Sequence, residues 1–227
     1  MCTNYAAARR DRLFRHFGIE PPESPWRDEI YKDYPAPILR RVDGAPRADL
    51  ATFGMVPRKH IPPGVRVFDT MNARAESVGE KRSFSGAWKR QQLCLVPCEA
   101  FYEPCYETGK AVRWRIGMAS GEPLAIAGLW REWEEPGANE GATARVFSFT
   151  MLTVNADEHA LMSRFHKPGD EKRSVVIVVP TEYENWLGSR STDEARSFLT
   201  LCPAEQMVAV ADPVAPMARA NGDGAVG

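Results

Sequence analysis

The feature that most limits this chain's fold is a succession of strand-like segments in its middle, joined by connections too short to hold a helix. AVRWRIGM alternates cleanly, PLAIAGLWREW follows almost at once, and RVFSFTMLTV carries the strongest strand pattern in the chain. LCLVPCEAFYEP precedes them as a further strand, with a break predicted at Pro97. Strands joined by short loops pair antiparallel, because a parallel pair needs a long crossover. The pattern therefore predicts a mostly antiparallel α+β domain, not a doubly wound sheet.

The flanks are read by the same rules. AAARRDRLFRHFG predicts a short helix with Leu13, Phe14 and Phe17 on one face and Gly18 as its stop. Its arginines, Arg9, Arg10, Arg12 and Arg15, form a solvated face or, in the sharper reading, a phosphate-facing patch. Strands are expected near Ala36–Val42 and over DLATFGMVP, with RKHIPPGV as a turn-rich loop. VFDTMNARAESV predicts a strand running into a loop, and SFSGAWKRQQ a small helix. EEPGANEGAT reads as a hairpin-like loop, SVVIVV as a buried strand and MVAVADPV as a last strand. Asn155 with Glu158, Thr181 with Glu184, and Ser191 with Glu194 fit capping boxes that open short helices, the first over DEHALMSRF.

With 227 residues, 44% of them hydrophobic, the chain can bury one sizeable core or two small ones. A net charge of -1 excludes a globally basic nucleic-acid binder, so any phosphate-binding surface is a local patch. No apolar run reaches membrane-spanning length and no signal peptide is recognisable, so a cytoplasmic protein away from the membrane is expected. The odd count of five cysteines fits reduced thiols rather than a disulfide framework. Cys94, Cys98 and Cys105 lack the paired spacing of zinc ligands, so packing is the expected role, with no metal and no cofactor.

Some residues suit chemistry better than packing. Cys2 directly follows Met1; loss of the methionine would put an α-amine and a thiol on one residue. Asn72, Arg74 and Glu76 alternate in NARAE and so face one side of an extended segment, where Arg74 suits a phosphate and Asn72 an oxygen. Glu103 lies between Tyr102 and Pro104 in an otherwise apolar strand, a setting that suits a general acid or base. Of the four histidines, His16 and His60 read as surface residues and His159 as helical. His166 lies where a helix gives way to the charged stretch HKPGDEKR, a place suited to proton transfer.

In this order, Met1-Cys2, FGMVP, NARAES, LVPCEAFYE, AGLW, FTMLT and RFHKPGDEKRSVVIV resemble the SRAP family, the SOS response-associated peptidases or abasic-site processing proteins. The resemblance covers most of the chain. It implies one SRAP-like α+β domain over residues 1–217, its antiparallel sheets forming a barrel-like core flanked by short helices, with 218–227 as a loose tail. It also implies a partner, single-stranded DNA containing abasic sites, bound in the bacterial nucleoid with salt-sensitive affinity. By resemblance Cys2, freed of Met1, attacks the aldehyde of the ring-opened sugar through its amine and closes a thiazolidine through its thiol. Asn72 would position that amine, Glu103 and His166 would move protons, and Arg74 would hold a flanking phosphate. Self-trimming at Met1 and strand cleavage belong to the same expectation. The alternative is a cysteine peptidase or N-terminal-nucleophile amidohydrolase with a non-DNA substrate.

This sequence departs from the family pattern at four places. Thr3-Asn4 replaces Gly-Arg, so the arginine contact to phosphate at position 4 is lost, or replaced by Arg9, Arg10 or Lys167, with Asn4 itself still expected at the DNA. Phe53 replaces a tryptophan as the residue expected to stack on a base. Lys167-Pro168-Gly169-Asp170 follows His166 in place of Asp-Arg-Met-Pro, and Pro104 replaces a tryptophan after Glu103.

Overall fold

A computed structural model describes residues 2–137 and 142–213. Met1, part of the 134–143 loop, and the expected tail 218–227 lie outside the described residues. Among the described residues the strands are β1 (Asn4–Ala7), β2 (Glu29–Tyr31), β3 (Pro35–Val42), β4 (Ala45–Phe53), β5 (Asn72–Arg74), β6 (Leu93–Cys105), β7 (Val112–Met118), β8 (Leu124–Pro136), β9 (Thr143–Asn155), β10 (Arg173–Val175), β11 (Ile177–Val178) and β12 (Met207–Ala211). The α-helices are short: α1 (Arg10–Phe17), α2 (Ser85–Lys89), α3 (Tyr183–Leu187) and α4 (Thr192–Ser197).

The sheet closes on itself. β8 pairs with β9, β9 with β4, β4 with β3, β3 with β6, and β6 again with β8, giving a five-stranded barrel. All of these pairs are antiparallel except β4–β9. The expected α+β fold with a barrel-like core is the observed one. Strand alternation fills two cores. Ile38, Val96, Ile126, Phe149 and Met151 pack in one, and their neighbours Leu39, Leu95, Ala125, Ala127 and Leu152 in the other. The second lies under the helices, which contribute Leu13, Trp88, Trp186 and Ala195. Gly128 stands where β8 is paired on both sides, opposite Cys94 and Met151. A Cβ there would lie 2.6 Å from the Thr150 carbonyl oxygen and 3.0 Å from Cys94 Sγ, so the closure needs a glycine.

Two features of the barrel position the site. β9 runs parallel first to β4, with Phe53 opposite Phe149, and then to β5, with Asn72 opposite Met151. Residues 55–71 are thus an excursion between two strands that share one neighbour. Its neck is closed by Met55 N–H on the Thr70 carbonyl at 3.0 Å and Val56 N–H on Thr70 Oγ1 at 2.9 Å. β6 is long enough to pair with β8 along Leu93–Cys98 and with β7 along Phe101–Cys105, besides its pairings with β3 and β1. It runs unbroken through Pro97. The register with β1 shifts between Ala6 and Ala7 beside that proline, a bulge where its missing N–H is tolerated.

Other differences are local. Ala6 and Ala7 belong to β1 rather than to the first helix, and Phe14 faces solvent while Leu13 is buried. The strand forms at Asn72–Arg74, after the segment VFDT expected to hold it. No α-helix forms over 157–165. Asn155 Oδ1 instead accepts the Asp157 N–H at 3.0 Å, and His159 Nδ1 accepts the N–H groups of Leu161 and Met162 ahead of a single 3₁₀ turn, Met162–Arg164. SVVIVV divides into β10 on β9 and β11 on β8. The Thr181 box does not form. Ser191 does cap α4 through the Glu194 N–H at 3.1 Å, and Glu194 reaches back to the Arg190 N–H at 2.7 Å.

Candidate functional site

β1 lies antiparallel to β6 with Tyr5 opposite Phe101, so the start of the chain runs along the half of β6 that carries Glu103. Cys2 is fully buried there, its Sγ 3.3 Å from the Asn4 carbonyl oxygen. Burial pushes its thiol well up, and the charge of Glu103 pushes it further. The thiol is therefore held protonated.

β5 brings Asn72 to the same place. Its Nδ2 donates to the Cys2 carbonyl at 2.7 Å, while its Oδ1 is buried without a hydrogen-bond partner among the described residues. Glu103, on β6 opposite Trp114, faces inward. Its Oε2 lies 3.0 Å from His166 Nε2, with side chains 1% and 8% exposed. The imidazole reaches it because the chain around 165 is tied to β6: Cys105 bridges to Phe165, and His166 N–H donates to the Pro104 carbonyl at 2.8 Å. His166 takes φ +65°, a left-handed conformation that costs a non-glycine residue about 1–2 kcal/mol. Such strain persists only where neighbouring contacts enforce it, and it clusters at functional sites. An amide aimed at the Cys2 carbonyl and a buried carboxyl–imidazole pair form a setting in which a proton can pass between fixed groups.

Cys2, Asn72, Glu103 and His166 thus meet. The four residues expected at DNA divide. Arg74 is 47% exposed, with Nη1 2.6 Å from Glu171 Oε2. Lys167 is exposed, one residue from His166. Asn4 is buried and its amide is hydrogen-bonded to the Glu29 carboxylate, so it is not a free phosphate contact. Phe53 is completely buried, stacked on Phe149 with centroids 5.1 Å apart and meeting the edge of Tyr5. It presents no face to a base, and the stacking expectation is corrected to a core role.

Sequence reasoning passed over several neighbours. Arg113 lies 3.5 Å over the Tyr102 ring and 3.0 Å from Glu29, and Arg164 covers Trp114 while pairing with Glu107 at 2.8 Å. The alternation of Arg113 and Arg115 in AVRWRIGM was the available signal for the first. Glu171 and the buried Arg173 gave none, because their meaning lies in what they touch. His16 and His60 are not free surface groups; they contact Glu122 at 3.1 Å and Glu135 at 2.8 Å. Cys94, Cys98 and Cys105 are free thiols buried in the core. Among the described residues no cluster of three or more His, Cys, Asp or Glu side chains is placed to hold a metal, and no helix is long and apolar enough to cross a membrane.

Comparison with known proteins agrees with this fold. A crystal structure of a protein from Bordetella bronchiseptica superposes with a TM-score of 0.81 at 33% identity, covering 94% of this chain and 100% of that one. One from Bacteroides thetaiotaomicron, at 19% identity and TM-score 0.72, shares the fold over 92% of this chain and 91% of its own. Among curated proteins, the abasic site processing protein YoqW of Bacillus subtilis is 29% identical over 127 residues, 56% of this chain and 51% of that protein. The abasic site processing protein YobE of the same organism is 28% identical over 127 residues, 56% of this chain and 52% of its own. The match spans about half the length of these curated relatives. The model of the SOS response associated peptidase (SRAP) family matches residues 1–217, and this chain belongs to that family.

Proposed function

We propose that this protein processes abasic sites in single-stranded DNA by forming a covalent thiazolidine on Cys2 after Met1 has been removed. The observation that carries the reading is the 2.7 Å hydrogen bond from Asn72 to the Cys2 carbonyl, which fixes the backbone of the proposed nucleophile within the electrostatic reach of Glu103.

In the proposed reaction the neutral α-amine of Cys2 adds to the aldehyde of the ring-opened sugar. An α-amine with a pKa of about 7.7–8.0 has a substantial neutral fraction at physiological pH. The carbinolamine loses one water to give an imine, with Glu103 or His166 supplying the proton that lets hydroxide leave as water. The Cys2 thiol then adds across the C=N bond. Sulfur bonds to carbon, and the thiol proton ends on nitrogen. A buried, protonated thiol is compatible with this order, because the amine acts first and the thiol's addition is intramolecular. Self-trimming of Met1 and strand cleavage are further outcomes the same groups could support.

Intact mass after incubation with an abasic single-stranded oligonucleotide tests the reading. The wild type is expected to lack Met1 and to gain the oligonucleotide minus one water. Cys2→Ala is expected to give no adduct while still binding the oligonucleotide. An adduct that persists in Cys2→Ala, or none in the wild type, overturns the proposal. Asn72→Ala is expected to slow adduct formation about 100-fold, the effect of loosening a reacting group by about 1 Å.

A further inference from the structure

One nitrogen of the exposed Arg74 guanidinium is already taken in this structure. Glu171 Oε2 lies 2.6 Å from Arg74 Nη1, and Glu171 Oε1 lies 2.6 Å from Arg173 Nη1 and accepts from Asn155 Nδ2 at 3.2 Å. Glu171 thus meets three donors from three segments beside β5, where Glu76 Oε1 also lies 2.7 Å from Arg173 Nη1 and 3.8 Å from Arg74 Nη1, and Asn155 Nδ2 also donates to Asp157 Oδ2 at 2.7 Å. A phosphodiester, with its two unesterified oxygens and negative charge, suits the same donors.

The two arginines are differently placed. Arg173, 2% exposed, keeps a bidentate pair to Glu76 at 2.7 and 3.0 Å and donates to the Thr153 carbonyl at 2.8 Å, so it stays satisfied if Glu171 leaves. Arg74 is 47% exposed and Glu171 33%, so their pair is in solvent reach and cheap to exchange. Glu171 also sits at the end of an exposed turn, 167–170, that contains Gly169 at φ +84°. His166, at the other end, is held to β6, and the Lys172 N–H is held by Asp157 Oδ1 at 2.8 Å.

We propose that Glu171 is a built-in occupant of a phosphate seat formed by Arg74, Arg173 and Asn155, and that single-stranded DNA binds by displacing it. Glu171 thereby sets the affinity of the site and disfavours weak, non-specific contact with nucleic acid. The inference rests on the single-stranded DNA reading but not on the crosslinking chemistry.

The test is a double-mutant cycle read by binding of an undamaged single-stranded oligonucleotide at low salt. Glu171→Gln is expected to bind about three- to tenfold tighter than wild type, the worth of releasing one charge-assisted contact. That gain is expected to vanish in an Arg74→Gln background, and Asp170→Asn, which removes a neighbouring charge, is expected to show much less of it. Glu171→Ala is measured alongside, so that misfolding of one variant leaves the other to decide. No gain, a gain matched by Asp170→Asn, a gain kept without Arg74, or no binding by any variant overturns the inference. Adduct formation with abasic DNA is scored separately: its absence refutes the proposed function and leaves this cycle standing.

Discussion

Glu103→Gln separates proton transfer from binding and from stability. The substitution keeps the side chain's shape and removes its charge from a pair in which Glu103 Oε2 and His166 Nε2 are 3.0 Å apart and nearly solvent-free. Breaking a buried pair outright costs about 3–5 kcal/mol. Glutamine keeps the side chain's volume and a polar group facing the imidazole, so a loss of about 1–3 kcal/mol is expected, the cost of a weakened buried contact. For a chain of this size that is a fall in Tm of about 3–10 °C. The chemical effect is larger: loss of a general acid or base slows a step by about 10²–10⁴-fold. A smaller effect opposes it. Without the charge of Glu103 the Cys2 thiol becomes more acidic, but burial, the larger cause of its raised pKa, remains. The net expectation is a slow adduct at unchanged DNA affinity. Single-turnover adduct formation on denaturing gels, about 20 °C below the measured Tm, reads the rate without contamination from unfolding. A rate within about threefold of wild type at that temperature would refute the assignment of Glu103 to proton transfer.

Two further predictions concern the scaffold. Gly128→Ala puts a methyl 2.6 Å from a backbone oxygen at the barrel closure, where overpacking costs about 1–3 kcal/mol; thermal melting should show it, and a Tm within about 1 °C of wild type would contradict the closure described. Acid should weaken the Arg173 network. The Arg173 hydrogen bond lowers the Glu171 carboxyl against the pull of burial; for Glu76 burial is the largest single influence and pushes up, but the Arg173 hydrogen bond, a backbone N–H and the charges of Arg173 and Arg74 together outweigh it. Carboxyls depressed in the folded state stabilise above the unfolded value of about 4.3, and that stability is lost as pH falls through the folded values. Melting curves between about pH 6 and pH 3 should therefore fall more steeply for wild type than for Arg173→Met, and parallel curves would sink the argument.

The strands were legible in the sequence because side-chain period and loop length are local properties. The closure of the barrel was not legible in these local properties; the expectation of a barrel-like core came from the family resemblance. Closure depends on β4 lying parallel to β9 and on β6 pairing with both β3 and β8, choices made between residues far apart in the chain. The same limit explains the helix that does not form after β9. Asn155 and Glu158 have capping-box spacing, yet the Asn155 side chain closes a two-residue turn, and the buried His159 ring takes the cap's place, its Nε2 fixed 2.8 Å from the Cys202 carbonyl oxygen. Phe53 was given a base-stacking role by the family pattern, where a tryptophan stands, and strand alternation could not check it. Alternation says that a residue faces one side of a sheet, but not whether that side is a barrel interior or a DNA-facing surface, and here Phe149 and Tyr5 already cover the ring.

The changed sequence after His166 bears on what a site must specify. The imidazole is not positioned by residues 167–170, which follow it directly. Its backbone N–H is held by the Pro104 carbonyl, its predecessor Phe165 bridges to Cys105, and its ring meets a carboxyl carried two strand positions before Cys105. The Lys172 ammonium closes the far side by donating to the His166 and Lys167 carbonyls at 3.2 and 3.0 Å. With both ends anchored, the sequence of the intervening turn is free to vary without moving the ring. That freedom has been filled here by an acid at its end, Glu171, placed on the arginine that the resemblance assigns to a phosphate. The residues that hold His166 and those that hold Arg74 therefore meet through one short turn.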